Sequence, residues 1–266
     1  MENAVTLLGV RGSMSVSGEA FLRYGGATTS ILVELEGVPV LVDAGTGIMN
    51  LPGRVMGYPE LTLLLSHPHV DHLMGLPLCP YLFSKGKTLN LYVAVHEGRS
   101  PEEQVKTLFA PPLWPVGPDS LPCDIHLKEI PENLCLNGVE IKTMEGLHPG
   151  GVTLFRISGG GKSVVVVTDC TITEEQMPAL VEFARNCDLL LCDGQYSNEE
   201  WVTRSTFGHN TWQYAALLGQ KAGAKQVKVI HHDPVHTDVF LDGAADELLH
   251  IHPNCGFGRE GEVIPL

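Results

Sequence analysis

Leu61-Thr62-Leu63-Leu64-Leu65-Ser66-His67-Pro68-His69-Val70-Asp71-His72 passes from unbroken apolar chain to three histidines and an aspartate with no linker between. Leu61 to Leu65 has the length and continuity of a strand covered on both faces. Pro68 denies the following residues a helical start, so His67 and His69 lie in extended backbone and can point the same way. Asp71 stands where it can cap a helix running through Leu73, Met74 and Leu76. Imidazoles and carboxylate therefore fan out from the carboxyl end of one strand. They are donors that zinc, manganese and iron accept, and six positions supply enough of them for two divalent metal ions.

Upstream, Val5 to Val10 reads as a strand. Ser30 to Leu35 and Val38 to Val42 form a hairpin through Glu36-Gly37. The hairpin ends in Asp43, placed either to accept the spare N–H of a ligating histidine or to cap the turn Asp43-Ala44-Gly45-Thr46-Gly47. Downstream, Leu89 to Val95 is a strand. Ala110 to Pro118, with four prolines, cannot be regular structure and is too apolar for an idle linker, so it reads as a rigid flap or a dimer contact. The second half repeats the pattern of strands ending in polar residues. Val139 to Met144 leads to His148. Val152 to Ile157 pairs with Ser163 to Val167, which ends in Asp169. Thr173 to Arg185 has helical periodicity, with Thr173 and Gln176 as a capping box. Asp188 to Cys192 ends in Asp193, a helix begins near Asn210 or Thr211, Gln226 to Ile230 ends in His231-His232, and Phe240 to His250 is helical. His67, His69, Asp71, His72, His148, Asp169 and one of His231 or His232 thus share one address, just past the carboxyl ends of strands, where sheets packed between helices bind ligands.

At 266 residues the chain suits a single domain of two pseudo-equivalent halves, about 1–145 and 146–266. No apolar run reaches the roughly 18 residues of a membrane span. Met1-Glu2-Asn3-Ala4 lacks the basic and apolar regions of a leader, and seven cysteines without a CxxC pair suggest reduced thiols, so the expected location is cytoplasmic. The net charge of −14 argues against tRNA or other nucleic acid as partner, because that binding needs clustered Lys and Arg. A homodimer is the default assembly.

His67-x-His69-x-Asp71-His72, a lone His148, Asp169 after an apolar strand and a C-terminal histidine, in that order, resemble the metallo-β-lactamase superfamily over nearly the whole chain. The resemblance implies an α/β fold of αββα type, two mixed sheets packed face to face with helices outside. It implies a first metal on His67, His69 and His148, a second on Asp71, His72 and His231, and Asp169 bridging both. His231 is preferred to His232 because it directly follows its strand. Gly208-His209-Asn210-Thr211 resembles the Gly-His-Ser-Thr element of the phosphodiesterase branch that includes ribonuclease Z, with Asp193 in the place of its acidic partner. The implied activity is hydrolysis of a small phosphodiester or cyclic nucleotide through a metal-bridging hydroxide that Asp71 orients. His209 would serve the leaving oxygen and Asp193 would hold its tautomer. Zinc is the expected metal, with manganese or iron compatible. A Gly-Pro-rich arm for gripping tRNA has no counterpart between the strands. His69 stands where the oxygen-reducing flavodiiron branch carries an acid, which disfavours redox chemistry. The rival readings are a thioesterase of the glyoxalase II kind and a non-catalytic ligand sensor on the same fold.

Overall fold

Two stretches of β-branched and leucine-rich chain each begin with antiparallel hairpins or pairs and continue or finish as parallel strands. The computed structural model describes residues 3–266; Met1 and Glu2, part of the start read above as leaderless, lie outside the described residues. The first sheet is built from β1 (Ala4–Gly9), β2 (Ser30–Leu35), β3 (Val38–Val42), β4 (Glu60–Leu65), β5 (Thr88–Val93) and β6 (Asp124–Glu129). The second takes β7 (Asn133–Leu136), β8 (Val139–Gly146), β9 (Val152–Gly159), β10 (Lys162–Val167), β11 (Leu189–Asp193), β12 (Gln226–Ile230) and β13 (Cys255–Phe257). The chain then returns to the first sheet, where β14 (Val263–Pro265) pairs antiparallel with β1. The orders are β14-β1-β2-β3-β4-β5-β6 and β13-β12-β11-β10-β9-β8-β7. In the first sheet β3 to β6 are parallel; in the second β10 to β13 are parallel and β7 to β10 antiparallel.

The inner faces of both sheets close on one core that includes Leu7, Ile31, Val33, Phe155, Ile157, Val164 and Leu191. Each such side chain contributes roughly 1.5–3 kcal/mol by leaving water. The outer layers differ. The second sheet is covered by α3 (Met177–Phe183), α5 (Trp212–Ala222) and α6 (Asp238–Ile251), whose Leu180, Ala215, Leu218 and Leu248 are buried against it. Over the first sheet lie mainly short 3-10 turns at 46–50, 53–57, 76–78 and 80–83, together with α2 (Pro101–Lys106). Pro52, Pro77 and Pro80 keep those turns from lengthening. The result is the expected αββα arrangement, with one thin outer layer.

Two local expectations need correction, and one feature was passed over. The helix after His69, α1 (Val70–Leu73), has four residues, and Asp71 lies inside it rather than at its cap. Its carboxylate is already taken by the Ser13 N–H (2.7 Å) and by His231, and Gly75-Leu76-Pro77 ends the helix at once. Thr173 does accept the Gln176 N–H, but in a turn before α3 rather than as the cap of a longer helix. Finally, α2 and α4 (Asn198–Arg204) carry complete capping boxes, Ser100 with Glu103 and Ser197 with Glu200, that the sequence reading passed over.

Candidate metal centre

The parallel strands end on one rim, and three of them turn there through residues in the left-handed region. Asp43 (φ 62°), Asp169 (φ 49°) and His231 (φ 63°) follow β3, β10 and β12 respectively, and Ser13 (φ 59°) sits in the loop after β1. Non-glycine residues occupy this region at a cost, and such strain gathers where surrounding structure holds a functional group in place. Here it turns the side chains into a common volume.

Two sets of donors meet there. His67, His69 and His148 form one; Asp71, His72, Asp169 and His231 form the other, with the donor atoms of each set within 4.8 Å of one another. Asp169 joins them: its Oδ2 lies 3.1 Å from His72 Nε2 and 3.6 Å from His67 Nε2, and Oδ1 lies 3.2 Å from His231 Nε2. His67 and Asp169 are fully buried, whereas His69 is exposed and marks the open side.

The outer ring nitrogens fix which atom each histidine turns inward. Ser66 Oγ gives its proton to Asp43 Oδ2 (2.9 Å), so it accepts from His67 Nδ1 (3.0 Å). His72 Nδ1 donates to Asp43 Oδ2 (2.8 Å), His148 Nδ1 to the Gly208 carbonyl (2.8 Å) and His231 Nδ1 to Gln195 Oε1 (3.0 Å). All four rings therefore present Nε2 to the cluster, each oriented by a partner outside it. His69 instead turns Nδ1 towards His148 Nε2, 3.0 Å away. Asp43 accordingly accepts a histidine N–H as well as shaping its turn. Two glycines make the packing feasible. A Cβ on Gly12 would stand 2.3 Å from His231 Nδ1, and one on Gly208 (φ +88°) would stand 2.4 Å from His148 Nδ1.

Electrostatics divide the cluster. Burial, with neighbouring histidines, holds His67 well below its ordinary pKa, and burial lowers His69 and His148 as well. These are neutral rings with lone pairs to give. Burial also works against charge on His72 and His231, but the carboxylates outweigh it. Asp169, Asp43 and Asp71 raise His72 well above its usual range, and Asp169, Asp71 and Asp193 raise His231 to about 9. Despite burial, Asp71 and Asp169 are held well below the carboxylate range by the same histidines. Among the described residues, the buried His67 Nε2 has no hydrogen-bond partner. A lone pair buried without a partner, beside neutral imidazoles and ionised carboxylates, fits divalent cations and little else.

His209 and Asp193 stand at the edge of this cluster. His209 Nδ1 donates to Asp193 Oδ2 (3.1 Å), and its ring stacks on His231 with centroids 4.9 Å apart. Thr171 Oγ1 and Trp201 Nε1 both donate to the His209 carbonyl, and Thr211, two residues on, caps α5. Asp193, His209, Asp169 and His231 also lie within 4.8 Å of one another. Both Asp193 oxygens are already engaged, Oδ1 by the Gln195 N–H (2.9 Å), which suits it to holding His209 rather than an ion. The structure thus brings together His67, His69, Asp71, His72, His148, Asp169, Asp193, His209 and His231. His232 turns away: its Nε2 reaches the Gly258 carbonyl and its ring packs on Tyr24 and Phe257. The sequence reading missed Gln195, Ser66 and Ser13. Gln195 follows the carboxyl end of β11, the same address as the other site residues, and that was the available signal.

A family description reading "Beta-lactamase superfamily domain" matches residues 39–232. Ribonuclease Z from Agathobacter rectalis is 24% identical to this chain, over 98% of it and 97% of that protein. Among solved structures, the metallo-β-lactamase fold protein YhfI from Bacillus subtilis superposes with a TM-score of 0.73 at 20% identity, covering 99% of each chain. The short form of human tRNase Z gives 0.71 at 16% identity, over 99% of this chain and 100% of that one. The ribonuclease relative overturns the expectation that nucleic acid is not a partner. Net charge counts the whole surface, whereas a phosphate would meet the local site, where cations, when bound, would set the potential. The chain-wide value of −14 therefore cannot exclude such a substrate. No helix among the described residues is long and apolar enough to cross a membrane.

Proposed function

The chain belongs to the beta-lactamase superfamily, and from that premise we propose that it is a dinuclear metal-dependent phosphodiesterase. His67, His69 and His148 hold one cation, Asp71, His72 and His231 hold the other, and Asp169 serves both. The observation that carries this reading is the position of Asp169 between the two donor sets, with the His209–Asp193 pair beside it. Two divalent cations, when bound, supply a water-derived nucleophile at neutral pH and neutralise charge on the phosphoryl oxygens. Zinc suits the nitrogen and oxygen donors, and manganese and iron share that preference.

The protein's own groups supply orientation and proton transfer. Asp43, Ser66, Gln195 and the Gly208 carbonyl hold four imidazoles in one tautomer. Asp71 is fixed by the Ser13 N–H. His209, with Nδ1–H committed to Asp193, delivers a proton from Nε2 to the departing oxygen. A thioester releases a thiolate that leaves without that proton, so the pair favours a phosphodiester over a thioester.

The substrates to be screened are small phosphodiesters, cyclic nucleotides and RNA, the last because the relative described above is a ribonuclease. The test is hydrolysis of bis-p-nitrophenyl phosphate by protein stripped of metal and reloaded with zinc or manganese. Metal-dependent release that disappears in His69→Ala is expected. Two bound ions per chain without release would overturn the phosphodiesterase reading.

A further inference from the structure

Four strands end the two sheets, and three of them are too short to attract a further strand. β13 and β14 have three residues each, with Pro265 in β14, and β7 has four. Short strands and prolines are how sheets avoid pairing with other chains. β6 is six residues long and ends the first sheet with one side unpaired. Its backbone groups alternate. The Asp124 N–H donates to the Lys87 carbonyl (2.9 Å) and the Ile130 N–H to the Val93 carbonyl (3.1 Å), so 124, 126, 128 and 130 face β5. Ile125, Leu127 and Glu129 turn N–H and C=O outward, and among the described residues no hydrogen bond claims them.

Neither face of β6 hides this edge. The turn after β7, Cys135 to Asn137, shares a cleft with Thr62 of β4 and Asn90 of β5, so the second sheet stops short of β6 there. On that inner face Asp124 and His126 are exposed, while Lys128 Nζ donates to Asn90 Oδ1 (2.8 Å) and lies over the Tyr92 ring. On the outer face Ile125 and Leu127 are half-buried and border a groove of about 380 Å³ that reaches Leu91, Val105 and Leu121. Phe109 and Pro118, which bracket most of the Pro-rich segment, line the groove as well, and Leu113 and Val116 within that segment are exposed.

We propose that this edge pairs with the same edge of a second copy of the chain, antiparallel about a two-fold axis at His126, so that two first sheets become one. A two-fold interface must be complementary to itself, and β6 is. With His126 opposite its own counterpart, Asp124 of each copy stands opposite Lys128 of the other, and Ile125 opposite Leu127. Ile125 and Leu127 are outward-facing backbone positions, so they exchange the N–H···O=C bonds that neither makes within its own chain. The Lys128 ammonium has hydrogens left for a carboxylate after serving Asn90. Neighbouring registers lose the match. One sets His126 against Lys128 and Ile125 against Glu129; the other brings Pro122 against Lys128. Charges that would repel an unrelated strand thus select this chain's own. Both copies turn the same face to the same side, so the two outer grooves join across the axis with a Pro-rich segment beside each. That places the segment at a dimer contact.

The test is sedimentation velocity of the full chain over a range of micromolar concentrations. A species of twice the 28.8 kDa chain mass is expected. Asp124→Lys, at an exposed side chain, sets lysine against Lys128 and should raise the dimer dissociation constant about tenfold or more. Adding Lys128→Asp to that variant returns opposite charges to each pair and should restore the dimer. Leu127→Pro deletes an outward N–H, which an edge strand tolerates, and should give monomer. Circular dichroism establishes that each variant is folded. A wild-type monomer throughout, a dimer that persists in Asp124→Lys or Leu127→Pro, or a folded double variant that stays monomeric would overturn the interface. None of these readouts depends on the metal centre or on hydrolysis.

Discussion

The two ends of the second sheet bury carboxylates in opposite company. At the amino ends, Asp188 precedes β11 and takes the Lys225 ammonium at 2.8 Å, the Ser163 N–H at 2.8 Å and Lys162 at 3.7 Å. At the carboxyl ends, Asp169 and Asp193, with Asp71 and Asp43 from the first sheet, are met by histidines, hydroxyls and backbone N–H groups. Among the described residues none of these four is ion-paired with lysine or arginine. A buried carboxylate needs compensation, and a lysine supplies it permanently. Imidazoles supply it only conditionally, and their lone pairs bind cations equally well. The same residue type thus serves as a fixed tie at one end and, on the proposed function, would serve as a donor for exchangeable ions at the other.

The sharpest way to break this comparison is at Asp169. Asp169→Asn removes the charge shared by both donor sets. Hydrolysis should fall to background, and bound metal measured by plasma mass spectrometry should drop below the two ions per chain expected of the wild type. Two retained ions would mean that the sets are independent. His209→Ala should have the next largest effect, lowering kcat by about 10²–10⁴ with metal content unchanged, because it deletes a proton donor and not a ligand. Lost metal in that variant would move His209 into the ligand sphere.

What the sequence disclosed follows this division. The residues at the carboxyl ends announced themselves because donor types repeat directly after apolar runs: His67 after β4, Asp169 after β10 and His231 after β12. Choosing His231 over His232 needed only the strand boundary. Gln195 stayed hidden because an amide is a common turn residue and its role depends on His231, 36 positions away. The Asp188 tie was equally invisible, since its lysines come from two other strand starts. Short elements fared worst. The helix after His69 is brief because Asp71 is claimed by Ser13 and His231, contacts from 58 and 160 residues away that no local propensity encodes.

The smallest expected effect tests the other end. Burial opposes the charge on Asp188, but the Lys225 hydrogen bond, the Ser163 N–H and the Lys225 and Lys162 charges together hold its carboxyl below the usual range. A carboxylate with a depressed folded pKa adds stability above its unfolded value near 3.9, and loses it as pH falls through the folded value. Lys225 is itself exposed, so solvent screening trims the contribution. Asp188→Asn should therefore lower the unfolding free energy by about 1 kcal/mol at pH 7, read from urea midpoints, and the difference should fade as the pH is taken down through 4 towards 2. Turnover per folded molecule should be unchanged, since the tie lies at the opposite end of β10 and β11 from the cluster. A loss of hydrolysis or of bound metal in this variant would show that the lysine-paired end also supports the site, and the distinction between the two kinds of buried carboxylate would fail.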